Sequence, residues 1–260
     1  MSKKKYSFEV LLSVLKLSKK DLLKMNITSP CTVINQCGKD GYEEYHNFHI
    51  YSYDELGVSN SRNRGLEHVH SDIIALCDDD VVYCDDYQRM ILEEFKKYPD
   101  ADIIVFNIDS PYRPTKMNKK SKRLHIFNIL KYASSRIVFK RESIQQNAIS
   151  FRCEFGSGSK YTCGEDTLFL VDSLNKGLKI YSSTINIGTV NHIHSNWFHG
   201  YDEKYFFDKG ALFTAISYPF RYFLFLQYLI RHREILDKIS FWKAYKIMKE
   251  GSKDYLDYIK

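Results

Sequence analysis

The chain has 260 residues, 38 basic and 32 acidic, for a net charge of +6. That is too mild a balance to imply a nucleic-acid partner, but it suits a phosphate-bearing ligand or an anionic surface. Hydrophobic content of 44% and charged content of 27% are ordinary for a soluble globular protein of one large domain, or a domain with an appendage. The cysteines Cys31, Cys37, Cys77, Cys84, Cys153 and Cys163 form no CxxC pair and no metal-ligand spacing, which points to a reducing, cytoplasmic setting. The basic start is followed by an apolar stretch too short and too interrupted for a signal peptide.

In chain order, residues 8–15 read as a first strand and Ser18 opens a short helix. Residues 31–37, rich in β-branched side chains, predict a second strand, and 48–52 a third. Residues 60–69 predict a helix capped by Ser59 or Asn60. The apolar run Ile73-Ile74-Ala75-Leu76-Cys77 then leads directly into Asp78, Asp79 and Asp80. A short apolar run bounded by polar residues is a buried strand, so the three acids belong at its carboxyl end, where open α/β sheets bind ligands. Carboxylates this close repel one another. Half-buried, they call for a hard divalent cation such as Mn²⁺ or Mg²⁺; the plainer alternative is a solvated acidic turn.

An amphipathic helix over 86–97 and a strand over 101–107 continue the alternation, which argues for a βαβ architecture with a mainly parallel sheet. Residues 112–123 collect Pro, Lys and Arg without apolar periodicity and read as an exposed basic loop. Residues 151–164 form a loop with Gly156, Gly158 and Gly164, and Ser157 and Ser159 alternate with the first two glycines. Glu165 and Asp166 then open an apolar helix. They serve either as first-turn acids that favour the helix dipole or as a pocket carboxylate able to take a proton. A strand over 178–181 follows, and His192 and His194 stand on alternate positions, as added metal ligands or as strand-end histidines bonded to backbone. Residues 211–230 are nearly continuous in apolar side chains, but Arg221 and Pro219 make a membrane span expensive. The two readings are an interfacial helix and a helix packed on the domain.

The ordered set Gly57-Val58-Ser59-Asn60-Ser61-Arg62-Asn63-Arg64-Gly65, then the strand ending in Asp78-Asp79-Asp80, then Gly164-Glu165-Asp166, resembles family 2 glycosyltransferases of the GT-A fold. The stretch 197–212 is similar to capsule and exopolysaccharide transferases of that family. The resemblance implies a GT-A nucleotide-sugar transferase domain over 1–200 and a helical, aromatic-rich C-terminal extension over 201–260. It implies inverting, metal-dependent transfer of a sugar, UDP-linked by expectation, to a glycan or polyprenyl-diphosphate-linked acceptor in cell-surface polysaccharide synthesis, with Mn²⁺ or Mg²⁺ as cofactor. The protein would then work in the cytoplasm or on the inner face of the membrane.

Onto this chain the resemblance places the metal at Asp78 and Asp80; His192 and His194, read above from their spacing, are the candidate added ligands. The donor nucleotide goes to Ser13, Asn35, Arg62, Asp78 and Asp79, and the acceptor to Gly158, Ser159 and Trp197. Asp166 becomes the base, with Glu165 beside it, and an aspartate of ordinary pKa, about 3.9, is ionised at neutral pH. Two positions depart from the family's pattern. Asn35-Gln36-Cys37 stands where an Asp is common, and Ser13-Val14-Leu15-Lys16 stands where Pro-x-Tyr-Asn is usual. A non-catalytic partner subunit and a metal-dependent phosphohydrolase or nucleotidyltransferase are the alternatives; no phosphate-cradling glycine loop of the P-loop type supports the last.

Overall fold

The computed structural model describes residues 5–111, 116–190 and 200–260. Its elements run β1 (Phe8–Leu15), α1 (Lys19–Leu22), β2 (Cys31–Gln36), β3 (Gly41–Tyr45), β4 (Phe48–Tyr53), α2 (Val58–His68), β5 (Ile73–Asp78), β6 (Val81–Tyr83) and α3 (Tyr87–Lys97). The middle of the chain gives β7 (Ile103–Asp109), β8 (Lys122–Arg123), α4 (Ile126–Ile129), a 3-10 turn (Ser134–Arg136), β9 (Ile137–Lys140), α5 (Arg141–Gln146), α6 (Glu165–Asn175) and β10 (Ile180–Val190). Three helices close it: α7 (Glu203–Ile216), α8 (Arg221–Arg231) and α9 (Phe241–Tyr258).

Among the described residues the strands form one mixed sheet in the order β3-β4-β2-β1-β5-β9-β7-β10-β6, with β8 paired to β10. The pairs β1–β2, β1–β5, β2–β4 and β7–β10 are parallel. Strands covered on both faces must be apolar throughout, and β5 is buried from Ile73 to Cys77. One core fills each face of the sheet, and Cys31 and Cys77 serve there as small hydrophobes. β9 runs antiparallel between β5 and β7. It is only four residues long and follows directly on the 3-10 turn, so apolar content over 126–144 did not reveal it.

Three other expectations are corrected. The helix at 60–69 begins earlier, at Val58, with Gly57 at its N-cap in a left-handed conformation (φ 103°) rather than with Ser59 or Asn60 as the cap. The strand at 178–181 becomes the eleven-residue β10. The apolar run 211–230 is not one helix: the chain breaks between α7 and α8 at residues 217–220, where Pro219 removes a backbone donor. Among the described residues no helix is long and apolar enough to cross a membrane.

The C-terminal helices form a layer of their own around Phe206, Phe213, Phe225, Ile247 and Met248. α7 and α9 meet backbone to backbone. A Cβ on Gly210 would lie 2.0 Å from the Met248 carbonyl oxygen, and one on Gly251 would lie 1.9 Å from that of Phe207. Only glycine permits that approach at either position. The layer is then fastened to the loop before α6: Tyr161 donates to Asp254 (2.7 Å), and Arg152 reaches both Asp172 of α6 (2.7 and 2.9 Å) and the Tyr255 hydroxyl (3.1 Å).

Candidate active site

The site begins at the carboxyl end of β5. Asp78 pairs in register with Ser13 of β1, so the acid emerges at the sheet edge beside the end of the neighbouring strand. α2 lies against β1 so closely that a Cβ on Gly65 would fall 2.1 Å from Leu11 Cδ1. That contact sets the depth of α2 and carries Arg62, one turn earlier, into the sheet edge. Arg62 is 3% exposed. Its Nη2 donates to Asp78 Oδ1 (2.8 Å) and Ser134 Oγ (2.8 Å), and its Nη1 donates to Glu165 Oε1 (3.0 Å). Ser134 in turn donates to Asp78 Oδ2 (2.7 Å). The 3-10 turn bearing Ser134 is anchored by Arg136, which donates to the Phe106 carbonyl (2.7 Å) and Asn107 Oδ1 (2.9 Å) on β7. Burial alone would lower the Arg62 pKa; Asp78 and Glu165 outweigh it and hold the guanidinium above its usual range.

Arg62 therefore joins the strand-end acids to the helix-start acids, two motifs 87 positions apart from Asp78 to Glu165. Gly164 caps α6 in the left-handed region (φ 109°), and a Cβ there would strike Leu212 of α7 at 2.6 Å. This close contact seats α6 against α7. Asp166 is half-buried, and its Oδ1 accepts from the Thr167 amide (2.6 Å). Burial first, and the Glu165 charge second, push its carboxyl up to about 7, while Arg62 and Lys209 pull the other way. The expectation of an ordinary, fully ionised aspartate is thereby corrected. The Lys209 ammonium lies 5.4 Å from the Tyr205 ring centroid and close enough to Cys163 and Asp166 to interact with both. Its neighbour Asp208 is wholly buried, pairs with Lys204 and accepts from Thr162 N (3.0 Å) and Oγ1 (2.7 Å), which ties α7 to the loop before α6.

Residues 34–160 match the model of glycosyl transferase family 2. Among solved structures the chain is similar to residues 1–349 of S. aureus TarS (TM-score 0.62, 12% identity, 96% of this chain and 88% of that one). It is also similar to the same TarS fragment in complex with UDP-GlcNAc (TM-score 0.66, 13% identity, 98% and 82%). Against the longer TarS chain it covers 43% of that protein (TM-score 0.59, 13% identity, 87% of this chain). A search of curated proteins returns no match. The chain has the GT-A fold.

On this GT-A scaffold the remaining predicted residues fall in several places. Asp79 is exposed and Asp80 half-buried in the turn between β5 and β6. Burial, then Asp78 and Asp79, push the Asp80 carboxyl up to about 7. Asn35 spends its amide within the protein, accepting from Leu17 N (2.9 Å) and donating to Ser52 Oγ (3.1 Å). Among the described residues Ser13 Oγ is buried without a hydrogen-bond partner. Gly158 (φ 81°) and Ser159 lie against Gly57 at the start of α2, which is tied to their loop by Val58 N donating to the Ser157 carbonyl (2.9 Å). His192, His194 and Trp197 lie outside the described residues. Sequence reasoning missed Ser134 and Lys209 as parts of the site. Ser134 carries no local motif, and Lys209 lies in the stretch 197–212, whose resemblance assigned it no role; only the tertiary fold brings them to the acids.

The donor chemistry here fits a hard divalent ion of one kind. Among the described residues no three His, Cys, Asp or Glu side chains converge on a common point, so an all-protein cage is absent there. Both Asp78 oxygens are already bonded to Arg62 and Ser134. Beside them stands the crowded Asp79–Asp80 pair, whose mutual repulsion a cation would relieve. One or two carboxylates completed by substrate phosphates is how Mg²⁺ is usually bound by enzymes that handle nucleotides.

Proposed function

We propose that the protein is a family 2 glycosyltransferase that moves a sugar from a nucleotide-sugar to an acceptor hydroxyl with inversion at the anomeric carbon. The observation that carries this reading is the Arg62 bridge, which holds the strand-end acids and the helix-start acids on a single sheet edge. The match over residues 34–160 and the likeness to TarS, one structure of which is a complex with UDP-GlcNAc, support it.

In this mechanism Asp80, with Asp79 beside it, would hold Mn²⁺ or Mg²⁺ against the donor diphosphate. The ion supplies charge stabilisation for the departing nucleoside diphosphate. Arg62 positions the site: by pairing Asp78 and Glu165 it keeps two carboxylates from repelling the donor and fixes the start of α6. Asp166, in its ionised form, accepts the proton of the acceptor hydroxyl as that oxygen attacks the anomeric carbon. A carboxyl raised by burial and by the Glu165 charge is a stronger base than an ordinary aspartate. Gly158 and Ser159 at the mouth of α2, with Trp197 beyond them in sequence, are assigned to the acceptor. The acceptor class proposed is a glycan or a lipid-linked glycan of the cell surface.

The test is a calorimetric screen of nucleotide-sugars with Mn²⁺ present, followed by transfer assays with whichever donor binds. Saturable binding of one donor class and release of its nucleotide in the presence of an acceptor is the expected outcome. Absence of binding across uridine, guanosine and deoxythymidine donors would overturn the reading and favour a non-catalytic partner subunit.

A further inference from the structure

The C-terminal layer turns two unlike faces outward and inward. Inward, α8 buries Phe225 and Leu229, and α9 buries Ala244, Ile247 and Met248. Outward, the turn before α8 and the first turns of α8 and α9 leave large rings in solvent: Phe220 is 66% exposed, Phe223 65%, Trp242 71% and Tyr218 55%. The two helices meet at one surface groove, lined by Tyr222 of α8 and by Tyr245, Lys246 and Lys249 of α9, with Trp242 edge-on to Tyr245 (6.3 Å).

Cations are threaded through these rings. The Arg221 guanidinium lies 4.1 Å and 4.2 Å from the ring centroids of Tyr218 and Tyr222, and Lys249 Nζ lies 5.9 Å from Tyr222. Lys246, Lys249 and Lys253 line the groove between Tyr222 and Tyr245. Between residues 218 and 253 there are eight basic side chains against three acidic ones, Glu234, Asp237 and Glu250. That segment therefore accounts for +5 of the chain's net +6.

We propose that this α8–α9 face docks on an anionic lipid surface, the rings seated at headgroup level and the lysines and arginines against lipid phosphates. Aromatic side chains with an apolar body and a polar or polarisable edge favour the membrane–water boundary, and basic residues beside them add attraction to anionic leaflets. At eleven residues α8 is about 16 Å long, half of what a span requires, so it lies in the plane of the surface. A second copy of the chain is a poor occupant, because a self-complementary contact would set the same excess of positive charge against itself. The inference stands apart from the sugar-transfer reading, and its readout needs no turnover.

The experiment is co-sedimentation of the full chain with phosphatidylcholine vesicles, with and without phosphatidylglycerol, at low and high salt. Two variants accompany it: Phe220→Ser/Phe223→Ser/Trp242→Ser and Lys246→Gln/Lys249→Gln/Lys253→Gln. All substituted side chains point to solvent or line the groove, and circular dichroism with thermal melting checks that both variants are folded. The wild type should bind vesicles containing phosphatidylglycerol and release them at high salt. Each variant should lose about tenfold or more of that affinity, the lysine variant also losing salt sensitivity. Equal binding to both vesicle types, binding to neither, or undiminished binding by the aromatic variant would overturn the proposal. So would a lipid-free dimer abolished by the same substitutions, which would assign the face to a second copy.

Discussion

The sheet edge and the C-terminal layer handle charge in opposite ways. At the sheet edge a buried arginine is enclosed by carboxylates, every guanidinium bond is short, and geometry is fixed by neighbours such as Gly65 and Ser134. In the outer layer Lys246, Lys249 and Lys253 stand in solvent and the half-buried Arg221 lies against the exposed Tyr218 and Tyr222 rings, and rigidity comes instead from the uncharged contact of Gly210 and Gly251 with opposing backbone. Buried pairs fix a site because either partner left alone is costly, whereas exposed cations are worth little to stability and remain available to a partner. The two regions are nevertheless one structure. α7 supplies Lys209 to the site and Gly210 to the helix crossing, on consecutive residues. Cutting the chain near Gly210 would therefore disturb the site along with the outer face, and point substitutions are the cleaner way to separate them.

The largest effect expected from breaking the contrast is Arg62→Met. It leaves Asp78 and Glu165 as unpaired acids at a buried edge, and urea denaturation should show a loss of about 3–5 kcal/mol, together with loss of transfer. Gly251→Ala addresses the other region. The added methyl meets the Phe207 carbonyl, α7 and α9 must part, and a destabilisation of about 1–3 kcal/mol should appear as a lower Tm while the basic face itself is unchanged.

A smaller effect sharpens the link between the regions. Because Asp166 acts when deprotonated and its carboxyl is pushed up to about 7, transfer should rise with pH through about 7 and level off above it. Lys209 holds that value down, so Lys209→Met should move the midpoint of the pH–rate profile upward. The sign for stability is the reverse of the sign for activity. The folded carboxyl binds its proton more tightly than the unfolded one, so its contribution is present below about pH 4 and is lost as pH rises to about 7.

Much of the sheet-edge site was legible in sequence because its parts are local. Five apolar residues running into three aspartates give both the strand and the place of its acids, and Gly164-Glu165-Asp166 gives a helix start. The contacts that make them one site were not legible. Arg62 joins residues far apart along the chain, Ser134 sits on a three-residue turn with no periodicity, and Lys209 lies in the stretch 197–212, where the resemblance carries no role for a lysine and helical spacing does not say which element it faces. β3 and β9 were missed for a related reason: Gly41–Tyr45 is an exposed edge strand lacking an apolar face, and Ile137–Lys140 is too short to show alternation. The break at 217–220 is marked by Pro219, but the apolar residues on both sides of it mimic one continuous helix.

The measurement that bears most directly on the central claim compares donor binding and turnover in Asp166→Asn. The amide has the shape of the acid but cannot accept the acceptor's proton, so nucleotide-sugar affinity should stay near wild type while transfer falls by about 10²–10⁴. Wild-type turnover in Asp166→Asn would contradict the account, because the carboxylates gathered by Arg62 would then have no base among them.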